Sequence, residues 1–411
     1  MAKSKIINVL DIGTNSIKFL SAVKKPGENV FDVLFQHQER SLGVRNGVVI
    51  DAPKVSEIIS SIIKRAEEET GNKVDGVYAN VGGGHVFCNY SRGLVSVSRA
   101  DRKISEEDID RVIQNARAVS LPSDKKNNEV LDIFPKEFII DGEGGVKEAV
   151  GMEGTRLEAD VLVLCGFSPY VKNSTQTILD SGVSINYLFT APLVSSRSVL
   201  TAREKELGVC VLDIGAGTTG MSVFEGGDLI HTAIFPVGSS HITNDIAICL
   251  QTDIDTAEKI KLEFGSCKKT TKSKKKKIKI EGEEPLEFSQ KELEEIIEAR
   301  VSEVFDFVSK ELKKISKQEL LPAGIVLTGG GSMLPGIKEM AKKKLKLPCR
   351  LGVPKSTEHE NQEARFTSIQ EDPSLAAIYG MVLEGAEMEE ENGSPREVTK
   401  KIKKFFRTFI P

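Results

Sequence analysis

Two short segments of the sequence combine a carboxylate, glycines and hydroxyl side chains at the end of an apolar strand. One follows the strand predicted over 6–10 and spans residues 11–15; the other follows 209–212 and spans 213–219. Glycines let backbone N–H groups approach an anion closely, and the threonine and asparagine side chains add hydrogen-bond donors. Asp11 and Asp213 would face a phosphate-bound Mg²⁺ through its waters, because that ion keeps much of its hydration. Each segment therefore predicts a phosphate-binding turn.

Both turns lead into a second strand rather than a helix. Hydrophobic residues alternate over 17–23 and again over 221–224, and residues 225–228 (Glu-Gly-Gly-Asp) predict a hairpin turn. Residues 215–220 match the G-x-G-x-x-G dinucleotide motif letter for letter, but that motif requires a helix directly after the glycines. We therefore expect no dinucleotide-binding fold. An ordinary hairpin is the alternative for either turn alone, and two copies with matched flanks favour a pair of phosphate turns.

A third glycine-rich segment follows the strand predicted over 325–327. It reads Thr-Gly-Gly-Gly-Ser over residues 328–332. Because these glycines carry no side chains, a flat base or ribose can lie directly on the backbone. Alone the motif is a common loop. After two phosphate turns it predicts the nucleoside side of the same site.

The composition indicates a water-soluble globular protein. The 411 residues are 39% hydrophobic and 28% charged, with a net charge of −4, which favours two to four domains and gives no general attraction to nucleic acid. The N-terminus enters a strand directly, so we expect no signal peptide, and no stretch of 18 apolar residues predicts a membrane span. The six cysteines lack metal-ligand spacing, which favours buried thiols in a reducing cytosol over a metal site.

The order of predicted elements gives an α/β fold with two lobes. Helices are expected over 53–70, from Thr243 to Leu250, over 255–264 and over 289–315. The predicted domains are a first-lobe core over 1–84, continued at 160–205 and 360–385; an inserted α+β subdomain over 85–159; a second-lobe core over 206–240, continued at 308–359; a smaller subdomain over 241–307; a flexible acidic linker over 386–394; and a helix over 395–411.

A lysine-rich run lies between the two last helices of the second lobe. Eight of the twelve residues from Lys268 to Lys279 are lysine. Like charges in such a block repel, so a solvated hairpin tip is the favoured interpretation. Contact with anionic lipid or an acidic partner is the alternative.

The last seventeen residues predict an amphipathic helix that begins at Pro395. Its apolar side chains recur with helical spacing, and basic residues fill the remaining positions, which is typical of a helix lying in a membrane interface. A terminal helix packed on the protein's own core is the alternative. The apolar residues are Val398, Ile402, Phe405, Phe406, Phe409 and Ile410, and the basic ones are Lys400, Lys401, Lys403, Lys404 and Arg407.

Two such phosphate turns followed by Thr-Gly-Gly-Gly, in this order over most of the chain, resemble the actin, Hsp70 and sugar kinase superfamily. The resemblance implies a two-lobed actin-like ATPase fold that holds ATP and Mg²⁺ in the cleft between the lobes. It assigns Asp11 and Asp213 to the metal and adds Glu258 and Lys261 on a helix that approaches ribose and base. The implied nucleotide-binding residues are Asp11, Gly13, Thr14, Asn15, Lys18, Asp213, Gly215, Gly217, Thr218, Thr219, Glu258, Lys261, Gly329, Gly330, Gly331 and Ser332.

Within the superfamily the chain resembles the FtsA family of bacterial division proteins. The insert over 85–159, residues 204–209, residues 237–247 and the terminal helix carry this resemblance. It implies a polymer-forming protein that ties the tubulin-like FtsZ ring to anionic lipids on the cytoplasmic face of the membrane at the division site. Implied partners are the FtsZ C-terminal tail, further copies of the chain, and later division proteins through the insert. Arg300 matches a family position for the FtsZ tail, with an exposed helix salt bridge as the alternative.

Three residues depart from the superfamily pattern where ATP would be hydrolysed. Ala216 replaces the middle glycine of the commoner turn, Gly220 stands where an aspartate often follows, and Ala191 precedes Pro192 where active hydrolases often carry glutamate. Loss of the group that positions water slows phosphoryl transfer by orders of magnitude. We therefore expect ATP binding with weak ATPase activity at most. A pilus-assembly ATPase of the same superfamily is the nearest alternative, and a small-molecule kinase is a more distant one.

Overall fold

The computed structural model describes residues 5–25, 30–120, 127–268, 275–278, 285–354, 365–366 and 371–393. The strands in this part of the chain are β1 (Ile6–Ile12), β2 (Ser16–Lys24), β3 (Val30–Arg40), β4 (Val44–Arg45), β5 (Val48–Val49), β6 (Gly76–Val81), β7 (Phe87–Ser96), β8 (Asn128–Ile140), β9 (Glu143–Val146), β10 (Arg156–Phe167), β11 (Ser184–Thr190), β12 (Val209–Ile214), β13 (Thr219–Glu225), β14 (Asp228–Phe235), β15 (Lys275–Ile278), β16 (Leu286–Ser289), β17 (Gly324–Thr328), β18 (Cys349–Leu351) and β19 (Arg365–Phe366).

The helices surround these strands. They are α1 (Ala52–Thr70), α2 (Glu106–Ser120), α3 (Ser168–Asp180), α4 (Ala191–Val199), α5 (Ala202–Leu207), α6 (Ser239–Leu250), α7 (Ile254–Phe264), α8 (Gln290–Lys314), α9 (Ile337–Leu345) and α10 (Ala376–Gly393), with short 3₁₀ turns at Gly330–Met333 and Pro373–Leu375. Within the described residues, none of these helices is long and apolar enough to cross a bilayer.

Each lobe is built on one sheet, and the two sheets repeat the same local pattern. The first has the order β11-β6-β1-β2-β3-β19, and the second begins β18-β17-β12-β13-β14. In each sheet one strand pairs antiparallel with the next along the chain (β1 with β2, β12 with β13) and parallel with a later one (β6, β17). Because the strand pairs match, the turns that end β1 and β12 occupy equivalent places. The mixed α/β fold predicted from the duplicated motif is confirmed.

The hairpin that excludes a dinucleotide fold is also present. β12 pairs antiparallel with β13 from Val209↔Phe224 to Ile214↔Thr219. β13 then returns as β14 through Gly226 and Gly227, whose φ angles are +58° and +83°. Positive φ at both central residues is the geometry of a tight two-residue hairpin. No helix therefore opens after residues 215–220.

The inserted subdomain consists of α2 packed on a sheet that joins the second lobe. Its strands extend the second sheet in the order β14-β7-β10-β8-β9. α2 lies so close to β7 that a Cβ on Gly93 would be 2.0 Å from the Val112 carbonyl oxygen. The backbone pairing with the second lobe is short in the described residues, where β7 pairs with β14 at Phe87↔Ala233. Side chains add to this link, because Cys88 Sγ is 3.2 Å from the Thr232 carbonyl oxygen, the Tyr90 hydroxyl donates to the Ile230 carbonyl and Lys147 pairs with Asp228.

Three predicted boundaries differ from the structure. The predicted insert ends at residue 159, but β10 continues to Phe167 and stays paired with β8 over that length. α6 begins at Ser239 rather than Thr243, because the Ser239 N–H donates to the Gly215 carbonyl and ties the helix start to the second phosphate turn. The flexible linker predicted over 386–394 is replaced by α10, which extends to Gly393. Its acidic residues pair with cations of the first lobe, namely Glu387 with Arg197, Glu389 with Lys5 and Glu390 with Lys24. The other predicted domain boundaries stay predictions, and the helix predicted over 395–411 lies outside the described residues.

Replacing Gly380 by alanine is expected to destabilise the fold at the contact between α10 and α4. A Cβ at position 380 would lie 1.8 Å from the Val194 carbonyl oxygen, whereas one at Gly385 would lie 3.0 Å from the nearest ring atom of Tyr78. Overpacking of this kind costs ~1–3 kcal/mol. Urea unfolding should show that the free energy of unfolding falls by this amount in Gly380→Ala and by less in Gly385→Ala. Equal stability of the two variants would contradict the predicted contact.

Candidate functional site

A cleft of about 410 Å³ lies between the two lobes and is lined by the predicted nucleotide-binding segments. The turn after β1, the turn after β12, helix α7 and the loop after β17 all contribute to it. The predicted residues that line it are Asp11, Gly13, Thr14, Asn15, Lys18, Asp213, Gly215, Gly217, Thr218, Glu258, Lys261, Gly329, Gly330 and Gly331. The structure therefore brings together segments that are more than 300 residues apart in the sequence.

Two residues of the predicted set do not line the cleft. Thr219 is fully buried on β13, and its hydroxyl donates to the Val237 carbonyl at 2.8 Å. Ser332 is also buried, and its hydroxyl donates to the Gly329 carbonyl at 2.7 Å. Both hydroxyls bind backbone carbonyls behind the cleft wall, so a contact of either residue with a ligand stays a prediction and would have to come from its backbone.

The two phosphate turns have the same internal hydrogen bond and touch each other. The Gly13 N–H donates to the Ser16 carbonyl at 3.1 Å, and the Gly215 N–H donates to the Thr218 carbonyl at 2.8 Å. A Cβ on Gly217 would lie 2.6 Å from the Thr14 hydroxyl oxygen of the other lobe. Only glycine therefore allows this approach. The arrangement places the backbones of both turns around one small volume, which suits the phosphate groups of a nucleotide.

The first carboxylate, Asp11, is fully engaged by neighbouring donors. Lys18 Nζ lies 2.8 Å from its Oδ2, and Asn80 Nδ2 lies 2.6 Å from its Oδ1. Asn80 is itself oriented by the Ile12 N–H, which donates to Asn80 Oδ1. Burial opposes the charge on Lys18, but the attraction and hydrogen bond of Asp11 outweigh it and raise the pKa of the lysine. Lys18 therefore remains charged beside the phosphate turns.

The second carboxylate, Asp213, lacks a cationic partner at hydrogen-bond distance among the described residues. Burial raises its pKa to about 6, against the Ser195 hydroxyl that donates to it, and the nearby Asp11 charge acts in the same direction as burial. A bound cation would relieve this cost, and carboxylates are ligands that Mg²⁺ accepts directly or through water. The pair therefore fits Mg²⁺ bound with a nucleotide. No cluster of three or more His, Cys, Asp or Glu suited to a metal occurs in the described part of the chain.

The nucleoside side of the cleft is formed by α7 and the loop after β17. Lys261 is buried and lies 2.7 Å from Glu258 and 2.8 Å from the Thr243 hydroxyl. Leu262 and Met333, which sequence reasoning missed, also line the cleft while remaining 76% and 57% exposed. Exposed apolar side chains beside a polar cleft suit the flat face of a base. Each of them directly follows a predicted site residue in the sequence, and this position is the signal that could have indicated them.

Sequence reasoning missed three further residues that shape the cleft. Asn80 and Ser195 bind the two carboxylates, as described above. Pro192 lines the cleft and explains the departure at Gly220, because a Cβ there would lie 2.3 Å from the proline Cγ. An aspartate side chain has no room at that position.

The remaining predicted site residues lie away from the cleft or outside the described residues. Arg300 on α8 binds Asp245 on α6 through two bonds of 2.7 and 2.8 Å and also pairs with Glu303. The eleven predicted membrane-binding residues of the terminal segment lie outside the described residues. Of the six cysteines, Cys165 and Cys210 are buried, as predicted, whereas Cys249 is exposed and the other three are half-buried.

Comparisons with known proteins agree with this architecture. Residues 210–380 match the family model described as cell division protein FtsA, and residues 83–165 match the SHS2 domain inserted in FtsA. A cell division protein FtsA of Neisseria meningitidis serogroup B is 34% identical over 404 residues, covering 96% of this chain and 95% of that protein. The chain belongs to the FtsA family of cell division proteins. This membership accounts for the insert between β6 and α3, which matches the family's own inserted domain.

Two solved structures place the FtsA family chain in the actin-like fold. The PilM–PilN type IV pilus biogenesis complex has a chain that is similar with a TM-score of 0.65 at 17% identity, covering 92% of this chain and 98% of that one. MreB5 of Spiroplasma citri bound to ADP is similar with a TM-score of 0.57 at 15% identity, covering 95% and 99%. At these identities the likeness shows the fold alone. The sequence relationship lies with FtsA rather than with the pilus protein.

Proposed function

We propose that this chain is an ATP-binding, polymer-forming adaptor that ties the FtsZ ring to the cytoplasmic face of the membrane at the division site. The observation that carries the proposal is the cleft, in which two matching glycine turns from opposite lobes touch at Gly217 and Thr14. Such a site in a member of a division-protein family favours a nucleotide that controls assembly. The insert would recruit later division proteins.

ATP with Mg²⁺ is the proposed ligand. The glycine turns and Lys18 would hold the phosphates, Asp213 and Asp11 would lie on the metal side, and Leu262 with Met333 would contact the base. When bound, the metal would neutralise phosphate charge. The acidic residues that line the described cleft are Asp11, Asp213 and Glu258.

The arrangement of these three acids favours slow hydrolysis. Both oxygens of Asp11 accept hydrogen bonds, and Glu258 is bound to Lys261 and Thr243 on the nucleoside side. Asp213 would be taken up by the proposed metal ion, and Ala191 supplies no carboxylate. No acid in the described cleft is thus placed to orient an attacking water, which supports a nucleotide that sets conformation rather than one that is turned over quickly.

The FtsZ tail is proposed to bind the smaller subdomain of the second lobe around α6 and α8. The Arg300 side chain is 26% exposed and bridges these helices through Asp245. On α6, Ile248 is 75% exposed and lies one turn beyond Asp245. A basic group beside an exposed apolar side chain suits a short peptide with mixed apolar and acidic character. Arg300 would therefore both brace the surface and contact the peptide.

The proposal is tested by reconstitution on liposomes that contain anionic lipid. FtsZ is expected to sediment with the liposomes only when the full chain and ATP with Mg²⁺ are present. Arg300→Glu places a third acid beside Asp245 and Glu303, so it should lower FtsZ recovery about tenfold while the chain itself still sediments. Lys310→Glu, on the same helix, is the charge-matched control. Sedimentation of FtsZ with the liposomes in the absence of this chain would contradict the proposed adaptor role. Equal recovery of FtsZ with both variants would contradict the proposed peptide site.

A further inference from the structure

We propose that Ser195 is the positioning residue that orients Asp213 for metal-dependent nucleotide binding. This inference rests on the proposed nucleotide function. Ser195 lies on α4, is fully buried, and donates its hydroxyl hydrogen to Asp213 Oδ2. Ser195 Oγ also lies 3.0 Å from the Ala191 carbonyl oxygen of the same helix. The hydroxyl has one hydrogen to donate, and the charged carboxylate is the stronger of the two acceptors, so the hydrogen goes to Asp213.

The structure holds the two cleft aspartates in different ways. Asp11 receives donors on both oxygens, one of them from the charged Lys18. Asp213 receives the neutral Ser195 on Oδ2, while its Oδ1 faces the backbone of Gly329, where a Cβ would lie only 2.3 Å away. The serine thus fixes the rotation of the carboxylate without neutralising it. Asp213 keeps the negative charge that a metal ion would bind.

The hydrogen bond from Ser195 also crosses between the lobes. α4 follows β11 of the first sheet, yet Val199 on α4 packs with Val209 and Val211 of β12 in the second. At the other end of α4, Pro192 rests on the backbone of Gly220. A metal that binds through Asp213 would therefore act on a carboxylate whose orientation is set by a helix that follows the first sheet and packs on the second. Through Ser195, the position of α4 and the binding of a metal ion at Asp213 would each depend on the other.

The test compares the affinity of the full chain for a fluorescent ATP analogue (mant-ATP) in MgCl₂ and in EDTA. Mg²⁺ is expected to raise the affinity of the unmodified chain for mant-ATP. Ser195→Ala should make this increase about tenfold smaller, because a hydrogen bond to a charged group is lost. Affinity in EDTA should change little. Ser196→Ala is the matched control, since Ser196 is also buried and its hydroxyl donates to the Leu193 carbonyl of its own helix. Ser195→Thr, which keeps the hydroxyl, should restore most of the Mg²⁺ effect.

A double-mutant cycle separates positioning from general packing. In a chain that already carries Asp213→Asn, adding Ser195→Ala should leave the response to Mg²⁺ unchanged. If Ser195→Ala keeps the full Mg²⁺ gain, as Ser196→Ala should, the proposal is overturned while the nucleotide function stands. If the unmodified chain binds mant-ATP in neither buffer, the proposed nucleotide function fails and the role of Ser195 fails with it. Should Ser195→Ala unfold in the assay, Ser195→Cys, of similar volume, is judged by the same criteria.

Discussion

Gly329→Ala is expected to lower the affinity for ATP by about 100-fold, which corresponds to ~2.7 kcal/mol. Gly329 has φ +79° and ψ +162°, a backbone region that is essentially restricted to glycine. A Cβ there would also lie 2.3 Å from Asp213 Oδ1 and 2.6 Å from the Ile214 carbonyl oxygen. The loop after β17 must then move away from the second phosphate turn, and the proposed nucleoside and metal contacts separate. Fluorescence titration with mant-ATP in MgCl₂ measures the loss.

Gly330→Ala is the matched control for this prediction, one residue further along the same loop. Its added Cβ would meet nothing closer than Ser374 Cβ at 3.7 Å, and its φ is not in the positive range. We expect an effect below about tenfold, and thermal unfolding would establish that both variants are folded. Equal affinities for Gly329→Ala and Gly330→Ala would show that the close approach to Asp213 does not matter for binding.

Removal of residues 395–411 is expected to abolish binding to liposomes that contain anionic lipid. The helical spacing predicts that the six apolar residues of the terminal segment share one face, and full burial of such side chains is worth ~1.5–3 kcal/mol each. Basic residues near an anionic leaflet add ~1 kcal/mol each, so high salt should weaken binding of the full chain. A single helix of this kind would bury these groups only partly. One copy should therefore bind reversibly, and a polymer that presents many copies should bind firmly.

Co-sedimentation with and without ATP measures this effect, and two further variants identify its source. Phe405→Glu combined with Phe406→Glu should reduce binding nearly as much as the deletion, because it places charge in the apolar face. Replacing Lys274 to Lys277 by glutamine removes cations from the other lysine-rich segment and should leave binding largely intact. Sedimentation of the shortened chain at the level of the full chain would contradict a membrane role for the terminal segment.

The parts of the fold that depend on neighbouring residues were predictable from the sequence. The strand-turn-strand pattern at each phosphate turn is local, since Asp11 opposes Lys18 and Asp213 opposes Gly220 across hairpins of a few residues. The two lobes follow from the repetition of that pattern. The fold class and the segments that line the cleft could therefore be predicted.

The features that sequence reasoning missed depend on partners far along the chain. Asn80 donates to Asp11 from 69 residues away in the sequence, and no motif around Asn80 indicates that its side chain belongs to the site. The acidic end of α10 resembled a linker because its compensating cations lie far away in the sequence, Lys5 being 384 residues from Glu389. Local composition gives charge and propensity, whereas tertiary contacts decide whether a charged segment is held in place.

The insert is attached to both lobes, to the first through the chain itself and to the second through the pairing of β7 with β14. The chain enters the insert through the segment between β6 and β7 and passes directly from β10 into α3 on its return, but the sheet of the insert continues the sheet of the second lobe. A rotation of one lobe against the other would therefore strain either these two connections or the contacts between β7 and β14. We expect the insert to follow the second lobe in such a rotation, so that its angle to the first lobe would change with the state of the cleft.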